Sequence, residues 1–254
     1  MTPNGLGLSP TDLSGPTLPG EVISFLSGKR ALSGYLVRPA QSSEQAPARS
    51  PGVLVIHEIF GLNDDIRGVA RRFAAAGYVA LAVDLFAHQN RAVCMARMFS
   101  GIFLSSLEHQ GVRDTRAALG VLAGLSGVDS ERLGAIGFCM GGSLAVALAC
   151  TDERVRAVAP YYGFNPRPLE AVRRACPVVG SYPERDPTAR QARALEAELE
   201  RGEVPHDIKV YGGARHSFAN AGASFDAVAS VDAWNRVMAF FGEHVTGGAE
   251  VKSR

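Results

Sequence analysis

Leu133-Gly134-Ala135-Ile136-Gly137-Phe138-Cys139-Met140-Gly141-Gly142-Ser143 is an apolar strand that runs through Gly-x-Cys-x-Gly into a helix. The spacing is that of a nucleophile elbow, a sharp strand-to-helix turn, with cysteine where serine usually stands. Side chains at the flanking positions would collide with the turn. Gly137 and Gly141 remove them, and glycine also tolerates the backbone angles such a turn requires. The thiol of Cys139 is therefore expected at the carboxyl edge of a sheet, over the amino end of the following helix. That helix end favours a thiolate and offers free backbone N–H groups to a developing oxyanion.

Outward from the elbow, strands and helices alternate. Glu21–Leu26 and Arg30–Val37 read as an opening hairpin around Ser27-Gly28-Lys29, and Gln41–Ser50 as a polar loop. Strands are expected at Pro51–Ile56, Val79–Val83, Arg132–Phe138, Val155–Tyr161, Pro177–Ser181 and Asp207–Tyr211. Helices are expected at Asp64–Ala76, Val112–Leu125, Gly141–Cys150, Ala189–Arg201 and Ala227–Glu243. Short apolar strands alternating with helices predict an α/β fold: a mainly parallel sheet with helices on both faces. Active sites of such sheets lie beyond the carboxyl ends of the strands.

The chain of 254 residues is long enough for one large domain, expected over 21–246 between an N-terminal arm (1–20, rich in Gly, Pro, Ser and Thr) and a short tail (247–254). A net charge of +1 argues against capture of nucleic acid or an anionic membrane, and no apolar run approaches the ~20 residues that span a bilayer. The arm lacks the basic start and apolar centre of a secretory signal. Cys94, Cys139, Cys150 and Cys176 form no C-x-x-C pair, which fits a reducing cytoplasm rather than a disulfide framework or a zinc site. Cys94, Cys150 and Cys176 read as small buried hydrophobes. Only Cys139 has glycines placed around it.

A catalytic thiol needs a base and a group to orient the base. His216 follows the last strand, in Gly212-Gly213-Ala214-Arg215-His216, and Asp186 follows the one before, in Ser181-Tyr182-Pro183-Glu184-Arg185-Asp186. Nucleophile, acid, histidine is the chain order of α/β-hydrolases. Glu184, two residues from Asp186, is the rival acid; Asp84 and Asp207 are weaker ones. The turn His57-Glu58-Ile59-Phe60-Gly61 follows the first long strand and would supply the second oxyanion N–H, giving Met140 and Ile59 as the two donors. Glu58 would then sit near the thiol and oppose its ionisation. His57 reads as a strand-end residue, and His57-Glu58 does not continue to His-Glu-x-x-His, so no metal or other cofactor is expected.

These pieces, with Ala82-Val83-Asp84-Leu85-Phe86, Tyr161-Tyr162-Gly163 and His216-Ser217-Phe218-Ala219, resemble the dienelactone hydrolase family from about Ile23 to Phe241. The resemblance implies an α/β-hydrolase fold and a Cys139/His216/Asp186 triad. It implies that Glu58 holds the resting thiol neutral, then swings away on substrate binding and takes its proton. The implied reaction opens an unsaturated lactone through an enol-type acyl-enzyme, which water releases as an acid. Two arginines that hold the substrate carboxylate in such enzymes fall at His88 and Asn220 here, and neither replaces a bidentate arginine at equal strength. Arg91 lies near His88 in sequence; Tyr161 and Phe60 complete the residues expected around the substrate. The substrate expected is thus a lactone or an activated ester. A general carboxylesterase or thioesterase of the same fold, and a non-catalytic thiol sensor or binding protein, are the competing readings.

Overall fold

The computed structural model describes residues 18–40, 49–87, 96, 100 and 107–247. Its centre is an eight-stranded sheet in the order β1-β2-β4-β3-β5-β6-β7-β8. The strands are β1 (Gly20–Ser27), β2 (Arg30–Val37), β3 (Ser50–Ile56), β4 (Val79–Asp84), β5 (Val128–Phe138), β6 (Val155–Tyr161), β7 (Val178–Arg185) and β8 (His206–Arg215). The hairpin β1–β2 is antiparallel and joins β4 antiparallel; every pairing from β4 through β3 to β8 is parallel. The chain starts this parallel part at β3, one place in from β4, and then adds strands steadily toward β8. All its parallel strands therefore end on one edge, where the expected reactive residues follow.

Among the described residues, five α-helices cover the sheet: α1 (Asp64–Ala75), α2 (Gln110–Gly124), α3 (Met140–Thr151), α4 (Thr188–Arg201) and α5 (Ala227–His244). The period-two alternation of the strands sorts the core into two layers. Leu54, Ile56, Leu81, Val83 and Ala135 face α2, α3 and α4. Val53, Val55, Ala80, Ala82 and Ile136 face α1 and α5, where Phe73, Trp234 and Phe241 pack together. Helix α3 is buried along Met140–Cys150. A helix apolar on all sides belongs under the middle of a sheet, which is where the elbow has to place it.

Apart from a 3-10 helix at Leu169–Arg174, which the sequence reading lacks, element types and order match it, and the boundaries differ informatively. β7 runs on to Arg185 and β8 to Arg215, beyond the apolar stretches ending at Ser181 and Tyr211. Those extensions are polar and glycine-containing, so their own residues carry no strand pattern. They are extended because they pair with each other, Arg185 opposite Arg215.

No helix among the described residues is long and apolar enough to cross a membrane.

Candidate active site

Five strand ends, in four pairings, set the site. Ile56 pairs with Gly137, Phe138 with Tyr161, Tyr161 with Ser181, and Arg185 with Arg215. The residues just beyond these pairs, Glu58, Cys139, Tyr162, Asp186 and His216, are brought to one edge by register alone.

Cys139 sits at the amino end of α3 with φ 54° and ψ −113°. That conformation is strained for a residue with a Cβ, and such strain persists only where the surroundings over-determine it. Here the Cys139 N–H donates to the Tyr161 carbonyl (3.0 Å), and the Cys139 carbonyl accepts from the Ser143 N–H (3.1 Å). The glycines do what the turn demands. A Cβ on Gly137 would lie 2.0 Å from the Gly141 carbonyl oxygen, and one on Gly141 would lie 2.3 Å from that of Ile56.

Burial pushes the Cys139 thiol up to about 11, with the charges of Glu58 and Asp186 adding to the rise. A hydrogen bond from the Met140 N–H works in the opposite direction. The resting group is a neutral thiol. Replacing Glu58 by Gln removes one of the opposing charges, so the pKa of Cys139 should fall. We expect Glu58→Gln to alkylate several-fold faster at Cys139 near neutral pH, followed by peptide mass spectrometry with iodoacetamide; an unchanged rate would deny the electrostatic contact.

His216 Nδ1 lies 2.9 Å from Asp186 Oδ2. The other oxygen, Oδ1, accepts from the Thr188 backbone N–H (2.8 Å) and hydroxyl, so the carboxylate is fixed at the start of α4. Glu184 is engaged elsewhere, accepting the Gly213 N–H at 2.8 Å and closing the β7–β8 edge. Asp84 accepts the Phe86 N–H, and Asp207 pairs with Arg236. Of the four acids the sequence offered, Asp186 is the one that meets the imidazole. Among the described residues no hydrogen bond joins the Cys139 thiol to His216. Such contacts are commonly long before substrate arrives and tighten in the complex.

His57 is fully buried, more so than a strand-end residue need be. Its Nε2 accepts the Leu85 N–H (3.0 Å), which leaves Nδ1 to donate to the Glu58 carbonyl (2.6 Å). The ring thus ties the β3 turn to the β4 turn. Glu58 is 3 % exposed, and its Oε2 accepts from the Ser217 hydroxyl at 3.2 Å. Burial raises its pKa; the nearby Asn220 amide, the Ser217 hydrogen bond and the His216 charge oppose that rise, while Asp65 adds to it. Ile59 is half-buried and Phe60 is 57 % exposed at the same turn.

Two of the expected substrate-contacting residues are placed differently. Tyr161 is the last residue of β6 and points into the α1/α5 layer, its hydroxyl among Tyr211, Arg72, Arg236 and Ser181. Tyr162 takes its place at the site. A positive φ of 41° turns the chain after β6, and the Tyr162 ring lies 4.8 Å from the His216 ring, with its side chain close to Glu58 and Cys139. Asn220 is buried, its amide turned to Glu58. Ser217 and Tyr162 were missed from the sequence: each acts through contacts with residues distant in the chain. His88, Arg91 and Cys94 lie outside the described residues.

Comparison with known proteins gives one answer. The sequence profile of the dienelactone hydrolase family matches residues 32–245. A protein of Saccharolobus solfataricus assigned as a carboxymethylenebutenolidase is 30% identical over 225 residues, covering 74% of this chain and 87% of that protein. A protein of Methylorubrum extorquens with the same assignment is 31% identical over 253 residues, covering 92% and 84%. Among solved structures, a dienelactone hydrolase-like promiscuous phosphotriesterase from metagenomic libraries superposes with a TM-score of 0.78 at 27% identity, covering 90% of this chain and 99% of that one. The profile match takes in all of the strand-end residues just described, from the Glu58 turn to the His216 loop, and this chain, an α/β-hydrolase by its sheet, belongs to the dienelactone hydrolase family.

Proposed function

We propose that this protein hydrolyses a small lactone or activated carboxylic ester through an acyl-enzyme on Cys139. The observation that carries the reading is the 2.9 Å contact of Asp186 Oδ2 with His216 Nδ1, at the same sheet edge as a thiol held on a strained elbow. Asp186 keeps the imidazole proton on Nδ1, which leaves Nε2 free to act as base.

In the first half-reaction the thiol gives up its proton, to Glu58 or His216, and sulfur attacks the acyl carbonyl. The carbonyl π bond becomes an oxyanion, met by the N–H groups of Met140 and Ile59. Collapse re-forms the carbonyl and breaks the acyl–oxygen bond; the leaving oxygen takes the proton back, and in a lactone it stays attached to the acyl group. In the second half, His216 takes a proton from water and hydroxide adds to the thioester; collapse breaks the carbon–sulfur bond, His216 returns the proton to the sulfur, and the acid is released. Relatives assigned as carboxymethylenebutenolidases make a lactone the first substrate to try. A thiol pushed up to about 11 is ill suited to peroxide sensing, which calls for a low-pKa cysteine.

The test is turnover of a dienelactone against p-nitrophenyl acetate, with mass spectrometry of the quenched enzyme for an acyl group on the Cys139 peptide. A large preference for the lactone separates a lactonase from a general esterase or thioesterase. Asp186→Asn should reduce kcat by about 10²- to 10⁴-fold, because an amide can stabilise the wrong imidazole tautomer. Full activity in that variant would remove Asp186 from the mechanism.

A further inference from the structure

The turn after His216 presents two uncharged donors to one buried carboxylate. The Asn220 N–H donates to the Ser217 carbonyl (3.1 Å), closing a turn over Ser217–Asn220. From its first residue the Ser217 hydroxyl donates to Glu58 Oε2 at 3.2 Å. From its last, the Asn220 amide faces the same carboxylate. Asn220 is 5 % exposed, and its Nδ2 reaches no acceptor at ordinary hydrogen-bond distance, so it acts on Glu58 as a buried amide dipole close by. Ser217 holds φ at 63°, a left-handed conformation that a serine keeps only where something fixes it. The next N–H along, that of Ala221, serves Asp65 on α1.

We infer that Ser217 and Asn220 are positioning residues, which hold the Glu58 carboxylate and tie the loop carrying His216 to it. The inference rests on the acyl-enzyme reading, since it assigns the two residues a part in readying Glu58 and His216 for the thiol. Four titratable groups face Glu58: His216 on the same loop, Asp65 from α1, Cys139 from the elbow and Tyr162 beyond β6. Burial and Asp65 favour the neutral acid; Ser217, Asn220 and His216 favour the carboxylate. With a donor removed, Glu58 protonates at higher pH, so activity that needs its carboxylate is lost sooner as pH falls.

The experiment measures kcat/KM for p-nitrophenyl acetate from about pH 4 to 9 in wild type, Ser217→Ala, Ser217→Gly and Asn220→Ala. Both Ser217 variants lose the hydroxyl, but glycine also relaxes the backbone. The expected result is an acid limb moved up by about one pH unit in both, since hydrogen bonds to charged groups carry that much, and by less in Asn220→Ala, which loses only a nearby dipole. Alkylation of Cys139 against pH, readable in slow variants too, should show its Glu58-linked step at the same raised pH but with the opposite sign, since a neutral Glu58 no longer opposes the thiolate, and adding Ser217→Ala to Glu58→Gln should change that profile no further. A Ser217→Gly profile that superimposes on wild type would overturn the inference, because backbone strain rather than the hydroxyl would then be at issue. So would a displacement that persists when Glu58 is Gln. Failure of the underlying reading looks different: Cys139→Ala retaining full activity removes it and this inference together, whatever the Ser217 variants do.

Discussion

Cys139→Ala is expected to lower kcat/KM for both lactone and ester by about 10⁴-fold or more, the scale seen when a nucleophile is taken from a catalytic triad. What remains should be the modest effect of backbone N–H donors and binding on direct attack by water. The fold should survive. The side chain is only partly buried, alanine needs the same backbone conformation, and the hydrogen bonds that fix the elbow come from main-chain atoms of Cys139. Unchanged thermal unfolding beside abolished turnover is therefore the expected pair of results. Turnover within a few-fold of wild type would end the case for a covalent intermediate on sulfur.

Gly141→Ala should do the reverse and damage the fold itself. The added Cβ would stand 2.3 Å from the Ile56 carbonyl oxygen and 2.7 Å from that of His57. Both are backbone atoms at the end of a central strand, so no rotamer change relieves the contact. Relief requires α3 to move off β3, and α3 is the buried helix under the middle of the sheet. We expect at least about 3 kcal/mol of destabilisation, read as a fall in Tm of about 10 °C for a domain this size. Gly124→Ala is the control: nothing lies within 4 Å of a Cβ there, so its Tm should stay near wild type. Equal Tm values for Gly141→Ala and wild type would mean that the helix does not approach the strand as closely as described.

The elbow was legible because its requirements are local. Gly137 and Gly141 are demanded by a turn made from the residues between them, and that demand is visible in the sequence whatever surrounds it. The two core layers were legible for a similar reason: the alternation of Val53, Leu54, Val55 and Ile56 specifies faces, and helices with apolar stripes must cover them. Asp186 against Glu184 was not decidable in that way. Both are acids after a strand, and the choice was made by the pairing of Arg185 with Arg215, which sets Asp186 beside His216 and leaves Glu184 to the Gly213 N–H.

Tyr161 and Tyr162 show the same division. Two identical side chains in succession give no sign of which faces the site, because that depends on where β6 stops and on the positive φ that follows. Ser217 was hidden more deeply, since its hydroxyl matters only through Glu58, 159 residues earlier in the chain. The sequence alone determined the alternation of elements, the elbow and the identity of its thiol, because steric limits and side-chain periodicity act between near neighbours. Only the tertiary structure decided which acid, which tyrosine and which hydroxyl share the edge with that thiol. Such contacts are set by strand register and by the packing of helices, which bring together groups that the chain itself keeps far apart.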